Sequence, residues 1–241
     1  MHPKAVSNNK FTFFIAIAWL GIFAISVGFG KTFIIPIASG ARTWPIEIYV
    51  HGALVFGWVL IFLIQSYLVQ RGRYKSHKQI GRWSVLIGVG AAVSIIPAAM
   101  YQCERELREG LGQTAISAIV GSLMSATMFL SLVSLGVIYR NKPDVHKRFM
   151  LLATILMIWP AWFRWRHYFP AVERPDIWFA CVLANSLIVV AFVWDWLQNK
   201  RIHPVLLFGG IFIILESSAE IMLFDSPGWR VVANLIYRAL Y

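Results

Sequence analysis

Charged residues are scarce in this chain, and acidic residues are the scarcest of them. Asp and Glu number 11 against 22 Lys and Arg, and the four types together make up 14% of the 241 residues, whereas a soluble domain carries about 25%. Hydrophobic residues make up 59%. This composition excludes an ordinary soluble globular domain and predicts that lipid surrounds most of the chain.

Cysteine is scarce, with two residues, and the start of the chain does not have the pattern of a cleavable leader. Cys103 and Cys181 stand in neither a CxxC nor a Cys/His pattern, which excludes a structural zinc site of the usual kind. They would form a disulfide if the predicted third and sixth spans were neighbours. The start MHPKAVSNNK is polar, and the apolar run after it has no small-residue cleavage site, so we expect no cleaved signal peptide.

Long apolar runs dominate what is present, and they predict an all-α integral membrane bundle forming a single domain over residues 1–241. Each is near the ~20 residues that a bilayer crossing needs. The predicted spans are 11–30, 48–70, 79–101, 113–139, 147–168, 177–197 and 205–224. The last span contains no lysine, which excludes a retinal protein. After it, Arg230 and Arg238 alternate with apolar residues, which predicts a C-terminal amphipathic helix lying on the outer leaflet.

Basic residues orient the predicted spans. The N-terminus and the connections after spans two, four and six hold 13 of the 22 Lys and Arg residues and two acids, Asp144 and Asp195. The positive-inside rule therefore predicts an inner-membrane protein with a cytoplasmic N-terminus, an external C-terminus and anionic lipid at its cytoplasmic face. The charge of +11 then needs no nucleic acid as a partner. The basic residues of these segments are Lys4, Lys10, Arg71, Arg73, Lys75, Lys78, Arg82, Arg140, Lys142, Lys147, Arg148, Lys200 and Arg201.

Two carboxylates lie inside the last predicted span. Glu216 and Glu220 are four residues apart and share one helix face, about 16 and 22 Å from the start of the span. Arg164 and Arg166 lie about 25 and 28 Å along the fifth span, at a similar depth. Because an unpaired carboxylate in lipid is costly, the sequence predicts a structural ion pair between these arginines and glutamates.

A divalent-metal site is the functional alternative for the same depth. Glu47 and His51 share a face of span two, and His167 ends span five, so they reach the same half of the membrane as Glu216 and Glu220. Two imidazoles and three carboxylates suit zinc, iron or manganese. This interpretation joins the five residues, with Arg164, in one polar site that opens to the outer face.

Haem is a further alternative, because histidines stand at both ends of the predicted spans. His77 and His146 lie at the cytoplasmic ends, and His51 and His167 lie at the outer ends. Two bis-histidine haems can be drawn from them. The function classes left open are therefore a metal- or haem-binding redox or hydrolytic protein, and a non-catalytic membrane protein that packs with partners or passes a small solute or lipid.

Several short motifs resemble those of one family. His51 is followed seven residues later by Trp58, and an H-K-x-x-G turn begins at His77. H-K-R-x-M-L-L-A begins at His146, and H-P begins at His203. Together they resemble a family of uncharacterised multi-pass bacterial inner-membrane proteins. The H-K-x-x-G turn is also similar to one in membrane cytochromes of the two-haem ascorbate-reductase kind, a likeness that implies haem.

Overall fold

The structure, a computed structural model, describes residues 9–241, and it describes side chains from Thr12 onward. Of the basic residues counted above, Lys4 and the side chain of Lys10 lie outside that part. The described residues form helices and turns without a strand. The predicted class, an all-α membrane bundle, is confirmed, because six of the helices are long and apolar enough to cross a membrane.

Ten α-helices follow one another through the described residues. Their bounds are α1 Asn9–Phe29, α2 Ile35–Ala38, α3 Ile46–Gln70, α4 Tyr74–Arg108, α5 Gln113–Ile138, α6 Pro143–Met157, α7 Trp159–Phe163, α8 Ala184–Asn199, α9 Pro204–Leu223 and α10 Pro227–Leu240. A wide helical turn at Gly30–Ile34 joins α1 to α2, and another at Asp176–Leu183 leads into α8. A tight 3₁₀ turn, Arg164–His167, extends α7.

The six long helices match six of the predicted spans. The first is longer than expected, since it continues to Ala38, and α4 runs for 35 residues despite Pro97 in its interior. We call the end of the bundle that holds the turns at 71–73, 139–142 and 200–203 the basic end. The end that holds 109–112, 168–175 and 224–226 is the far end.

The fifth predicted span is a broken helix at the centre of the bundle. Every residue from Leu151 to Ile158 is buried, and α6 contacts α1, α3, α5, α8 and α9. A helix that is apolar all round is suited to that position, because it has no polar face to turn outward. The helix breaks at Ile158 because Pro160, two residues on, has no N–H to donate and its ring crowds the preceding turn. This break turns Arg164 away from the axis of α6.

An ion pair at the basic end ties α6 to α8. Arg148 and Asp195 are almost completely buried and bond to each other through both arginine Nε and Nη2. Asp195 also accepts hydrogen bonds from Asn199 Nδ2 and from the backbone N–H of His203, at 2.7 and 2.8 Å. One carboxylate therefore fixes the turn between α8 and α9.

The helix α10 packs on the far ends of α4 and α5. Asp225, just before it, accepts hydrogen bonds from Arg230, Ser117 and Thr114, and these hold the pKa of its carboxyl well below the ordinary value. The indole of Trp229 donates to the Ser117 carbonyl at 2.9 Å. The opposite face of α10 is apolar and exposed, as the predicted amphipathic character requires; it carries Val231, Val232 and Leu235.

Candidate functional site

The structure does not bring the five predicted metal ligands together. The imidazole of His51 faces α4, where its Nδ1 lies 3.0 Å from Ser94 Oγ. Glu47 and His167 are exposed, and the His167 carbonyl accepts a hydrogen bond from Lys31 at 2.8 Å. In the part of the chain that the structure describes, no three His, Cys, Asp or Glu side chains are placed to hold a metal ion.

Glu216 and Glu220 face a different helix from His51. Glu220 lies against Gly121 of α5, so close that a Cβ at that glycine would collide with its carboxylate. Oε1 of Glu216 is buried and has no hydrogen-bond partner. The Glu220 carboxylate therefore contacts α5, whereas the His51 imidazole contacts α4.

The predicted ion pairs are not formed either. Among the ion pairs between described side chains, none joins Arg164 or Arg166 to Glu216 or Glu220. The break at Ile158 directs both arginines toward α1 and α4 rather than toward α9. Both arginines bond instead to main-chain carbonyls of their own segment, Arg164 Nη1 to Pro160 at 3.1 Å and Arg166 Nη1 to Phe163 at 3.2 Å.

Both cysteines are free, so the disulfide considered from the sequence is not formed. Cys103 is buried against Ala115 and Ile119 of α5. Cys181 instead lies beside α9, with its Sγ 3.7 Å from Ser218 Oγ. Each thiol therefore packs against a different helix.

Arg164 and His51 do lie near each other, and they are the centre of what we call the far-end cationic site, comprising His51, Ser94, Arg105 and Arg164. Three segments supply it. The first turns of α3 carry His51, one face of α4 carries Ser94 and Arg105, and the 3₁₀ turn after α7 begins with Arg164. The charge of Arg164 acts on His51, and that of Arg105 acts on Arg164.

Hydrogen bonding selects the tautomer of His51. Ser94 Oγ lies 2.8 Å from the Ala91 carbonyl, to which its hydroxyl donates. A hydroxyl has one proton, so Ser94 can only accept from His51, and Nδ1 of His51 carries the N–H. Nε2 is then the unprotonated nitrogen. Its lone pair is free to accept a proton or a hydrogen bond within the site.

Arg164 has no acidic partner among the described residues. Its guanidinium is partly buried and lies 4.1 Å from the centre of the Phe29 ring. Arg105, by contrast, has Glu106 and Glu109 within 3.7 and 3.5 Å. Because burying a charge without a counter-ion is costly, the positive charge of Arg164 is the unbalanced feature of the site.

Aromatic side chains and further donors lie at the same end of the bundle as this charge. Trp44 packs edge-on against Tyr101, with ring centres 6.2 Å apart, and Arg42 covers the other side of Trp44 at 4.0 Å. The indole N–H groups of Trp44, Trp162 and Trp165 are buried without an acceptor. This part of the far end is therefore rich in hydrogen-bond donors and poor in acceptors.

Sequence reasoning found His51 and Arg164 but missed their neighbours. The spacing of Ser94, Tyr101 and Arg105, seven and four residues apart, is that of one helix face and could have been read from the sequence. Nothing in the sequence indicates that this face of α4 meets His51. The signal that would have found it is a polar stripe that continues into a span.

Comparison with known proteins gives no relative from which to transfer a role. No protein-family model matches the chain, and no curated protein and no solved structure matches it.

Proposed function

We propose that this protein is a multi-pass protein of the bacterial inner membrane whose basic end is cytoplasmic. The distribution of Lys and Arg supports this orientation, because the N-terminus and the connections after the second, fourth and sixth predicted spans hold 13 of the 22. In this orientation the basic turns contact anionic lipid, and the far-end cationic site and α10 lie in the outer half of the membrane.

We further propose that the protein binds the acidic headgroup of an amphiphile at the far-end cationic site. The observation that carries this proposal is Arg164, a partly buried guanidinium without a carboxylate partner among the described residues. A phosphate or carboxylate is the natural ligand of such a group, because its oxygens accept two parallel N–H bonds from one guanidinium.

The neighbouring groups favour an anion over the divalent metal considered from the sequence. Arg105 and Arg164 would repel a cation at this position, and the buried indole N–H groups offer donors rather than lone pairs. Nε2 of His51 is the one free acceptor that the site presents. It suits the remaining proton of a monoprotonated phosphate or a hydroxyl group of the ligand.

The aromatic wall and the position of the site favour an amphiphile over a small soluble anion. Phe29 gives the site an apolar surface beside the charge of Arg164, and Trp44 and Tyr101 add aromatic surface at the same end of the bundle. Ile46 and Val50, on the same turns of α3 as His51, are exposed on the outside of the bundle. A lipid therefore has an apolar approach from the bilayer to a cationic group at headgroup depth.

The test compares lipids that differ only in headgroup charge. Detergent-purified protein is incubated with phosphatidylglycerol or phosphatidylcholine of the same acyl chains, and bound lipid is measured by native mass spectrometry. We expect preferential binding of phosphatidylglycerol. Arg164→Gln should weaken it by about 10-fold or more, since a hydrogen-bonded charge contributes about 1.5–3 kcal/mol. Arg108→Gln, an exposed arginine of the same end, is the matched control.

Two results would contradict this function. Equal binding of the two lipids by the unchanged protein would remove the role of charge. Stabilisation by inorganic phosphate in a thermal-unfolding assay, lost in Arg164→Gln, would instead assign the site to a soluble anion. The melting temperature of each variant without ligand shows whether it is folded.

A further inference from the structure

A second cluster of polar side chains lies at the basic end, remote from the far-end cationic site. The imidazole rings of His77 and His146 have their centres 6.3 Å apart and their planes at 83°. His77 belongs to the first turn of α4, and His146 belongs to the first turn of α6. Two histidines from separate helices meet here, between the ends of α3 and α5.

One hydrogen bond sets the tautomer of His146. Its Nδ1 lies 2.8 Å from the carbonyl oxygen of Gly136, which can only accept. Nδ1 therefore carries the proton, and the lone pair is on Nε2. A backbone carbonyl that fixes an imidazole in this way is the usual second partner of a metal-binding histidine, because it orients the ring and increases the basicity of the free nitrogen.

Two more lone-pair atoms of this cluster are buried and unused. Nδ1 of His77 and Oε1 of Gln65 have no hydrogen-bond partner. The His77 ring lies beside the backbone carbonyl of Gln65. The amide of Gln65 lies against Gly81, one helical turn after His77, since a Cβ there would be 3.4 Å from Gln65 Nε2. Three side chains thus present an atom with a lone pair and no hydrogen-bond donor beside it. These atoms are His146 Nε2, His77 Nδ1 and Gln65 Oε1.

From this geometry we propose that His77 and His146, assisted by Gln65, bind a first-row transition-metal ion of the kind that prefers imidazole, such as copper or zinc. A ligating nitrogen lies about 2.0–2.1 Å from such an ion, and the ring centre lies about 1.2 Å behind the nitrogen. Two imidazoles on opposite sides of one ion, as the tetragonal geometry of Cu²⁺ allows, therefore have their centres about 6–6.5 Å apart. The observed 6.3 Å matches that span.

The nearby lysines do not prevent binding. Lys78 acts on His77 electrostatically, but its side chain is exposed, so solvent screens its charge. Both imidazoles are partly buried, and ion binding would supply the partner that Nδ1 of His77 lacks. The site draws on two histidines and an amide, so it needs no group of three His, Cys, Asp or Glu side chains, and none of the described residues forms one.

The test uses copper as the probe, since it binds nitrogen ligands most tightly among the divalent first-row ions. Protein purified with a histidine-free tag, in a His2→Asn background, receives one equivalent of Cu²⁺. The electron paramagnetic resonance spectrum should show superhyperfine splitting from two imidazole nitrogens. Equilibrium dialysis with Zn²⁺ should give one bound ion per chain.

The variants separate ligation from folding. His146→Asn keeps an amide N–H near the position of Nδ1 for the Gly136 carbonyl but removes Nε2, and His77→Asn removes the second ligand. Each variant should weaken Zn²⁺ binding by at least about 10-fold, because loss of a ligand should cost at least as much affinity as loss of a group that only orients a ligand. Each should also leave the splitting of a single nitrogen in the copper spectrum. His167→Asn, an exposed histidine at the far end, should change neither.

Two results would overturn the proposal and indicate adventitious metal. One is a stoichiometry below one ion per chain, and the other is binding that is unchanged in His77→Asn and in His146→Asn. A Soret band in the purified protein that disappears in both variants would also overturn it, because the two rings would then hold haem iron rather than a free ion. If His146→Asn does not fold, His77→Asn alone decides the outcome.

Discussion

Nε of Arg148 lies 3.3 Å from Oδ2 of Asp195, and the two side chains are buried together at the basic end of the bundle. Arg148 Nη1 also donates to the backbone carbonyl of Asp144 at 2.7 Å, and Asp195 accepts from the backbone N–H of His203. The start of α6, the end of α8 and the turn into α9 therefore share one hydrogen-bond network. We infer that this network holds the central helix in register with its neighbours.

The first prediction concerns the stability that this pair provides. Arg148→Ala or Asp195→Ala should lower the free energy of unfolding by about 3–5 kcal/mol, because each leaves a buried charge without its partner. Asp144→Ala removes an exposed carboxylate and should cost no more than about 1 kcal/mol. Denaturant unfolding of detergent-solubilised protein measures the three values.

A double variant tests whether the two residues act as one unit. Arg148→Ala with Asp195→Ala should be more stable than the sum of the single effects predicts, by about 0.5–3 kcal/mol, since neither charge is then left alone. Strict additivity would contradict the direct interaction.

The second prediction concerns a close approach of α1 to α7. A Cβ added at Gly28 would collide with the backbone carbonyl of Ala161, which cannot rotate away as a side chain does. Gly28→Ala should therefore destabilise the protein by about 1–3 kcal/mol. The matched control is Gly52→Ala in α3, where nothing lies within 4 Å of the added carbon.

Because alanine is a better helix former than glycine, Gly52→Ala should be neutral or stabilising by up to about 1 kcal/mol. The order of the two melting temperatures relative to the unchanged protein is the measurement. A Gly28→Ala protein as stable as the Gly52→Ala protein would show that the two helices separate without cost.

Positions along each helix were predictable from the sequence, and positions around it were not. Six spans follow from apolar length, because a bilayer sets how many residues a helix needs. Depth is estimated from the rise per residue, and that arithmetic is what assigned Arg164 and Glu220 similar levels. Which neighbour each one faces depends on helix rotation and on the break at Ile158, and the hydropathy of the chain carries no information on either.

Polar partners within the bundle were unpredictable for the same reason. Asp195 is followed by Lys200 and Arg201 in the sequence but pairs with Arg148, 47 residues away, because it is buried on the face of α8 that meets α6. His51 was recognised as a candidate, whereas its contact with Ser94 requires knowing that α3 and α4 pack as an antiparallel pair. A short connection such as 71–73 favours that packing without fixing the register.

The third prediction concerns orientation in the membrane. Reporter fusions after Asn199, at the basic end, and after Tyr241, beyond α10, should give opposite results. Green fluorescent protein should fluoresce at the first position, and alkaline phosphatase should be active at the second, because each reporter works on one side only. A fluorescent fusion at Tyr241 combined with inactive phosphatase there would reverse the proposed orientation.

The last prediction concerns the pH dependence of the contact between α10 and α5. Hydrogen bonds from Arg230, Ser117 and Thr114 hold the pKa of Asp225 below its ordinary value in the folded protein. The unfolded chain therefore takes up this proton first, and the stabilisation is fully present above about pH 4 and is lost as the pH falls through the lower, folded value. Asp225→Asn should be less stable than the unchanged protein at pH 6, and the difference should shrink toward pH 2. Melting temperatures of the two proteins across this range measure the effect, and carboxylates elsewhere cancel in the comparison.

Ser39→Ala is the control, because the Ser39 hydroxyl donates to the Pro36 carbonyl in an exposed turn at the same end. This variant should differ from the unchanged protein by the same small amount at every pH. A difference between Asp225→Asn and the unchanged protein that stays constant from pH 6 to pH 2 would show that the carboxylate charge does not hold α10 in place.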